Sequence, residues 1–229
     1  MTTFVLVPGA GGDAWFWHRL VAALGDRGHR GIAVQLPAGD EEAGLSEYAD
    51  VIVEAGRDHG PVVLVAQSMG GLSAPLAVDR LEVERIVLLN AMVPSPGETG
   101  GAWWEAVGQG EAMQEAARRD GRSEEFDMVE DFFHDVPEEV TRALLERGEP
   151  EQSDRSFAEP WPLDAWPDVP TTVIAGADDR LFPVELQQRV AKERLGIVDV
   201  EVIPGGHLVA LANPELVAEC LIRAVRVAR

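Results

Sequence analysis

The stretch Pro61-Val62-Val63-Leu64-Val65-Ala66-Gln67-Ser68-Met69-Gly70-Gly71-Leu72-Ser73-Ala74-Pro75 decides how the rest of the chain is read. Val62–Val65 is a short continuous apolar run entered from Gly60-Pro61. A strand buried on both faces of a parallel sheet has this form. Ala66 to Gly70 then reads small-x-Ser-x-small, and Gly71-Leu72-Ser73-Ala74 opens a helix. In such a sharp strand-to-helix turn, a nucleophile elbow, the serine is held in a strained backbone conformation that lifts its hydroxyl above the sheet edge. A side chain larger than methyl two residues to either side would clash, and the helix N-terminus beneath favours developing negative charge. An N-capping serine in an ordinary strand-turn-helix unit has the same local pattern. Ser68 therefore needs partners from the rest of the chain.

Outward from the elbow, strands and helices alternate. Thr3–Val7 reads as a strand broken by Pro8-Gly9-Ala10-Gly11-Gly12, and Asp13 caps a helix with Trp15, Phe16, Leu20, Val21 and Leu24 on one face, ending at Gly28. Gly31–Leu36 is the next strand, and a helix starts at Ser46. The helix after the elbow runs to about Leu81, followed by a strand over Arg85–Asn90. Thr171–Ala175 and Val198–Ile203 are two further strands around a helix at Val184–Leu195, and Leu208–Val227 is a closing helix interrupted near Asn213-Pro214. This alternation predicts an α/β fold, a mainly parallel sheet of about six strands with helices on both faces and right-handed crossovers.

The segment from Pro94 to Asp168 breaks the pattern, with no convincing strand but with glycines, acidic runs and the aromatics Trp103, Trp104, Phe132, Phe133, Trp161 and Trp166. A structureless connection of that length does not suit a compact domain, so residues 94–168 are expected to form a helical cap on a core of 1–93 and 169–229. Most of its aromatics should form the cap's own small core. Trp103, Trp104, Phe132 and Phe133 are the candidates for contact with an apolar or aromatic small molecule.

Composition narrows the function. The 229 residues suit one such domain, and 46% hydrophobic content supports a sizeable core. A net charge of −21, from 40 acidic against 19 basic residues, argues against nucleic acid or an anionic membrane as partner. Cys220 is the single cysteine, so no intramolecular disulfide can form, and its apolar helix makes it a core residue. The N-terminus has no basic region before an apolar run and no run reaches membrane-spanning length, so a cytoplasmic location is the default expectation. No His, Cys and acid cluster has metal-ligand spacing, and Gly9-Ala10-Gly11-Gly12 lacks the lysine of a phosphate loop, so neither metal nor organic cofactor is expected.

Ligands of parallel α/β sheets sit beyond the carboxyl ends of the strands, and partners for Ser68 should follow strands too. After Thr171–Ala175 comes Gly176-Ala177-Asp178-Asp179-Arg180-Leu181-Phe182-Pro183, and after Val198–Ile203 comes Pro204-Gly205-Gly206-His207. Serine, acid, then His207 is one of the chain orders in which a catalytic triad occurs. His18, His29, His59 and His134 lie in or after the first helix, before the elbow strand, or in the cap, and fit less well.

These stretches resemble the α/β-hydrolase superfamily, and within it the small plant methylesterase and hydroxynitrile lyase group with its bacterial relatives. Phe4-Val5-Leu6-Val7-Pro8-Gly9-Ala10-Gly11-Gly12-Asp13-Ala14-Trp15-Phe16-Trp17 resembles the group's opening strand, oxyanion loop and tryptophan-bearing helix. Ala66-Gln67-Ser68-Met69-Gly70-Gly71 resembles its elbow, Gly176–Pro183 its acid turn, and Gly205-Gly206-His207-Leu208 its histidine loop. The resemblance implies that Asp179, four residues before Pro183, is the acid and Asp178 a turn residue, and that the backbone N–H groups of Ala10 and Met69 form the oxyanion hole. Pro8 stands where the group usually has histidine, and Ala66 replaces its usual first glycine.

The function implied is cleavage of a small carboxylic ester through an acyl-enzyme, with Ser68 as nucleophile, His207 as general base and Asp179 orienting it. A lyase or cyclase using the triad for proton transfer, and a slow-turnover ligand-binding protein, remain alternatives on the same scaffold. Hydroxynitrile cleavage is disfavoured. The plant lyases place lysine after the triad histidine and a hydroxyl residue in the first oxyanion position, where this chain has Leu208 and Ala10, and its one lysine, Lys192, lies in a helix before the histidine loop. The partner implied is a small molecule, and the oligomeric state stays open.

Overall fold

In the computed structural model, which describes residues 1–148 and 150–226, six strands form one parallel sheet. They are β1 (Thr3–Val7), β2 (Arg30–Ala33), β3 (Val62–Ser68), β4 (Val83–Ala91), β5 (Thr171–Gly176) and β6 (Glu201–Ile203). The order is β2-β1-β3-β4-β5-β6, with every neighbouring pair parallel. The chain winds outward from β1 to β2 and then returns to lay β3 on the other side of β1. That reversal opens a crevice beyond the carboxyl ends of β1 and β3, where ligands of such sheets bind.

Successive side chains of a strand point to opposite faces, and the two halves of the core follow that period. Phe4, Leu6, Val63, Val65, Val87 and Leu89 pack with Leu20 and Leu24 of α1 (His18–Asp26) and Val217 and Leu221 of α11 (Pro214–Arg226). Val5, Val7, Leu64, Ala66, Ile86 and Leu88 pack with Ile52 of α2 (Leu45–Gly56), Leu72 of α3 (Gly70–Ser73), and Leu186 and Val190 of α9 (Val184–Leu195). Cys220 is fully buried in the first of these layers. No described helix is long and apolar enough to cross a membrane.

Several boundaries depart from the sequence reading, each for a local reason. The helix after the elbow is α only over Gly70–Ser73 and continues as a 3-10 helix over Ala74–Arg80. Pro75 has no N–H to give the carbonyl four residues back, so the chain tightens there. A 3-10 turn, Ala14–Trp17, precedes α1, with Asp13 capping it through Trp15 N at 2.8 Å. Its threefold winding buries Trp17 and leaves Trp15 and Phe16 half-buried, against the expected apolar face.

The expected strand Gly31–Leu36 is Arg30–Ala33, because the chain leaves the sheet to bond Leu36 N to Gly12 O at 2.9 Å. Edge strand β6 keeps only the three residues that pair with β5, and Val198 is exposed. β4 extends beyond the expected Arg85–Asn90 at both ends. The interruption near Asn213-Pro214 separates α10 (Val209–Ala212) from α11, and the expected end at Val227 lies outside the described residues.

Between β4 and β5 stand α4 (Gly100–Ala106), α5 (Gln109–Arg119), α6 (Met128–Phe132), α7 (Glu138–Glu146) and α8 (Arg155–Ala158). The expectation that this segment's aromatics form a core of their own fails for Trp103 and Trp161, which belong to the main core. Their indole nitrogens donate to Val93 O, just after β4, and to Leu72 O of α3, each at 3.0 Å, and so fasten the segment to the main core.

Candidate active site

Ser68 ends β3 with φ 52°, in the left-handed region. For a residue with a side chain that conformation costs about 1–3 kcal/mol and persists only where the surroundings impose it. They do so here by close approach. A Cβ on Gly9 would lie 2.8 Å from Ser68 Cβ, one on Gly70 would lie 2.8 Å from the carbonyl oxygens of Val7 and Pro8, and one on Gly71 would lie 1.9 Å from Met92 O. The elbow is wedged between the loop after β1 and the chain after β4, and only small residues fit its flanks. Ala66 is fully buried at the first small position.

His207 and Asp179 meet on neighbouring loops, and Gln67 Nε2, on the residue before Ser68, donates to His207 O at 3.4 Å. His207 Nδ1 lies 2.9 Å from Asp179 Oδ2, and both side chains are wholly buried. A carboxylate only accepts, so Nδ1 carries a proton, and in the neutral imidazole Nε2 is the ring atom left with a lone pair. Nε2 is buried and has no hydrogen-bond partner among the described residues. Asp179 Oδ1 accepts from Leu181 N at 2.9 Å and Phe182 N at 2.8 Å, which fixes the carboxylate plane. The neighbouring Asp178 is exposed and accepts from Gly205 N at 3.2 Å. The imidazole is held edge-on by Phe132 and Phe182, with centroids 5.1 and 5.0 Å away at 90° and 89°.

Ser68 opens into a cavity of about 340 Å³ between the sheet edge and the β4–β5 segment. Ala10 and Met69 line it, and neither amide donates to a protein acceptor among the described residues. Trp104, Phe132 and Phe133 line it as well. Trp103 does not: it points into the core beneath, where it packs on Phe182 at 5.1 Å. Opposite fates for neighbours in one short helix follow from the helical rotation between them.

The sequence reading missed Phe16, Met92, Phe157, Gln67 and Gln152, all on the cavity wall. Phe16 sits just beyond the glycine loop, a position that could have suggested it. Gln152 carries no local signal, yet its Oε1 accepts from Gly11 N at 2.9 Å and its Nε2 lies 3.2 Å from both Tyr48 Oη and Ser156 Oγ. A residue 141 positions away in the chain thus helps hold the loop that carries Ala10.

A second contact joins the segment to the histidine loop. Asp135 Oδ2 accepts from Gly206 N at 2.6 Å, and His134 packs so close to Gly206 that a Cβ there would meet its Cε1 at 2.5 Å. Burial pushes the His134 imidazole below its ordinary pKa, against the opposing pull of Asp135. No group of three or more His, Cys, Asp or Glu residues that could hold a metal occurs among the described residues.

Comparison with known proteins agrees with this architecture. A probable esterase, PIR7A, of Oryza sativa subsp. indica is 39% identical over 107 residues, which is 42% of this chain and 41% of that protein. The match thus spans about two fifths of the relative's length. Norfluorocurarine synthase 1 of a Strychnos species is 24% identical over 249 residues, covering 95% of this chain and 93% of that one. Among solved structures, an extracellular alpha/beta-hydrolase from a Paenibacillus species superposes with a TM-score of 0.74 at 19% identity, over 98% of this chain and 99% of that one. The sequence model of the alpha/beta hydrolase family matches residues 4–220, and the chain belongs to that family.

Proposed function

We propose that this protein hydrolyses small, neutral, apolar carboxylic esters through an acyl-enzyme. The observation that carries the reading is the buried His207–Asp179 pair, 2.9 Å apart, packed against Phe132 of the apolar cavity into which Ser68, held at φ 52°, also opens. Ser68 Oγ attacks the ester carbonyl carbon while His207 Nε2 takes its proton, and Asp179 keeps the imidazole oriented and stabilises the imidazolium. The amides of Ala10 and Met69 receive the oxyanion. His207 returns the proton to the departing alcohol, and water then attacks the acyl-enzyme with His207 again as base, releasing the acid and free Ser68.

The substrate class follows from the cavity wall. No described lining residue is charged, and the polar ones besides Ser68 are Gln67 and Gln152. A carboxylate-bearing substrate would lose its hydration there with no cation to replace it, and the net charge of −21 would repel it from a distance. The same absence of a cation disfavours expulsion of cyanide. Segment 94–168 serves as the cap that roofs the site. The name of the plant esterase relative supports ester cleavage, and that of the Strychnos synthase keeps open a biosynthetic reaction in which the same triad moves protons without an acyl-enzyme.

Rapid-mix kinetics with a nitrophenyl ester of a short apolar acid separates these readings. An initial burst of nitrophenol stoichiometric with enzyme, and a matching acyl adduct on Ser68 by mass spectrometry, is expected. Turnover with neither burst nor adduct would overturn the acyl-enzyme.

A further inference from the structure

A pair of buried carboxamides joins the acid to the histidine loop. Asn90 lies at the end of β4, is completely buried, and has φ 47°. Its Nδ2 donates to Gly206 O at 3.0 Å and His207 O at 3.1 Å. Its Oδ1 accepts from Gly176 N at 2.7 Å and Gln187 Nε2 at 3.3 Å. Two donors and two acceptor sites are all that this side chain has, and every one is used. Reversing the amide would set NH2 against the Gly176 amide and an oxygen against two carbonyls, so the network allows one orientation.

Gln187, buried on α9, continues the chain. Besides Asn90 Oδ1, its Nε2 faces Phe182 O at 2.7 Å and Asp179 Oδ2 at 3.3 Å. The oxygen that accepts from His207 therefore also faces a second donor, which belongs to the residue bonded to Asn90. Gln187 Oε1 is buried without a partner among the described residues. An orphaned acceptor costs about 1–3 kcal/mol, and a left-handed residue that is not glycine adds a comparable strain. An apolar residue of the same volume in place of Gln187 would avoid the first cost, and glycine in place of Asn90 the second. A site that keeps them is using the hydrogen-bond directions.

We infer that Asn90 and Gln187 act as one positioning relay, in which Asn90 sets the height of the His207 backbone and Gln187 fixes the lone pair of Asp179 that receives the imidazole. The inference rests on the triad reading of Ser68, Asp179 and His207. Because the two carboxamides are bonded to each other, acid and base are placed together.

The test uses Gln187→Met, which keeps the volume and loses the donor, and Asn90→Gly, which keeps the left-handed backbone and loses the side chain. Each should lower kcat about 10- to 100-fold with KM changed less than about twofold, the scale of a small misplacement of reacting groups. The double variant should fall no further than the worse single one, since both break one relay. In Gln187→Met the acid limb of the pH–rate profile should move to higher pH. A carboxylate with one donor fewer holds the imidazolium more strongly, and the proton resonance on His207 Nδ1 should move downfield. A purely structural role would lower stability and leave the limb and the resonance in place. Unchanged kcat in both variants, or multiplying losses with an unmoved limb, would overturn the relay. Should Asn90→Gly not fold, the limb and the resonance of Gln187→Met decide alone. A wild-type chain that turns over no ester would overturn the triad reading instead, and the resonance still reports on the relay.

Discussion

Asp135 of the β4–β5 segment accepts the amide hydrogen of Gly206, the residue before His207, at 2.6 Å. The β4–β5 segment is thereby bonded to the loop that carries His207. Segment and histidine loop belong to one mechanical unit, and some substitutions in the segment's cavity wall should therefore act on turnover as well as on selectivity.

Ser68→Ala and His207→Ala should each abolish hydrolysis of short aryl esters with unchanged circular dichroism. Asp179→Asn should cost about 10⁴-fold in kcat, the loss seen when a triad's orienting carboxylate is removed with its geometry kept. Asp178→Asn, exposed and bonded to Gly205 N, should cost far less. Comparable losses from the two aspartates would move the acid elsewhere.

Trp103 and Trp104 should behave oppositely. Trp103→Ala should lower unfolding free energy by about 3–5 kcal/mol, as for a buried aromatic truncated to alanine, and leave the ranking of ester substrates alone. Trp104→Ala should shift the kcat/KM ratio between bulky and small acyl groups by about tenfold or more, the scale of a few contacts in an apolar pocket. A denaturant series and an ester panel measure the two effects, and identical behaviour would contradict the cavity wall described.

His134 should make stability depend on pH. Its pKa in the folded protein is pushed down, chiefly by burial, with Arg180 adding to the effect and Asp135, Asp178 and Asp179 opposing it. The unfolded chain then binds the proton more readily, so stability is full above the ordinary histidine value of about 6.5 and declines as pH falls through it. His29 is lowered as well, by burial and the positive charges of the N-terminus and Arg226, and contributes to the same slope. The readout is therefore the difference from His134→Phe, whose urea midpoint should change less than the wild type's between about pH 7.5 and 5.5. Parallel slopes would remove His134 from the account.

Cys220 should be inert in the folded protein. Burial and the nearby Glu201 push its thiol up to about 11, and the thiolate is the reactive form. A disulfide reagent at neutral pH should label it only after denaturation. Fast labelling of the native protein would show an opening of α11 that the packing does not suggest.

The parts legible in the sequence were those with a local cause. A continuous apolar run marked β3, small residues marked the elbow at Ser68, and Asp179 and His207 followed strand ends. Where an element's extent depends on its neighbours, as at β2 and β6, the sequence overran the structure. Trp103 and Trp104 were indistinguishable because their difference lies in which side of a short helix meets the core. Asn90 and Gln152 were invisible for another reason. Their partners lie as far as 117 and 141 residues away in the chain, and a polar residue bonded at such range leaves no pattern beside it.

The bond from Gln152 to Gly11 N has a consequence for anyone exchanging parts between related proteins. The glycine loop after β1 is closed by a residue that arrives with the β4–β5 segment. A chimaera carrying a foreign β4–β5 segment with no glutamine at this position would bring its own cavity wall and at the same time release the loop that carries Ala10. Such transplanted segments should then lose rate on every substrate, however well their pockets fit, until a glutamine at the position of Gln152 is restored with them.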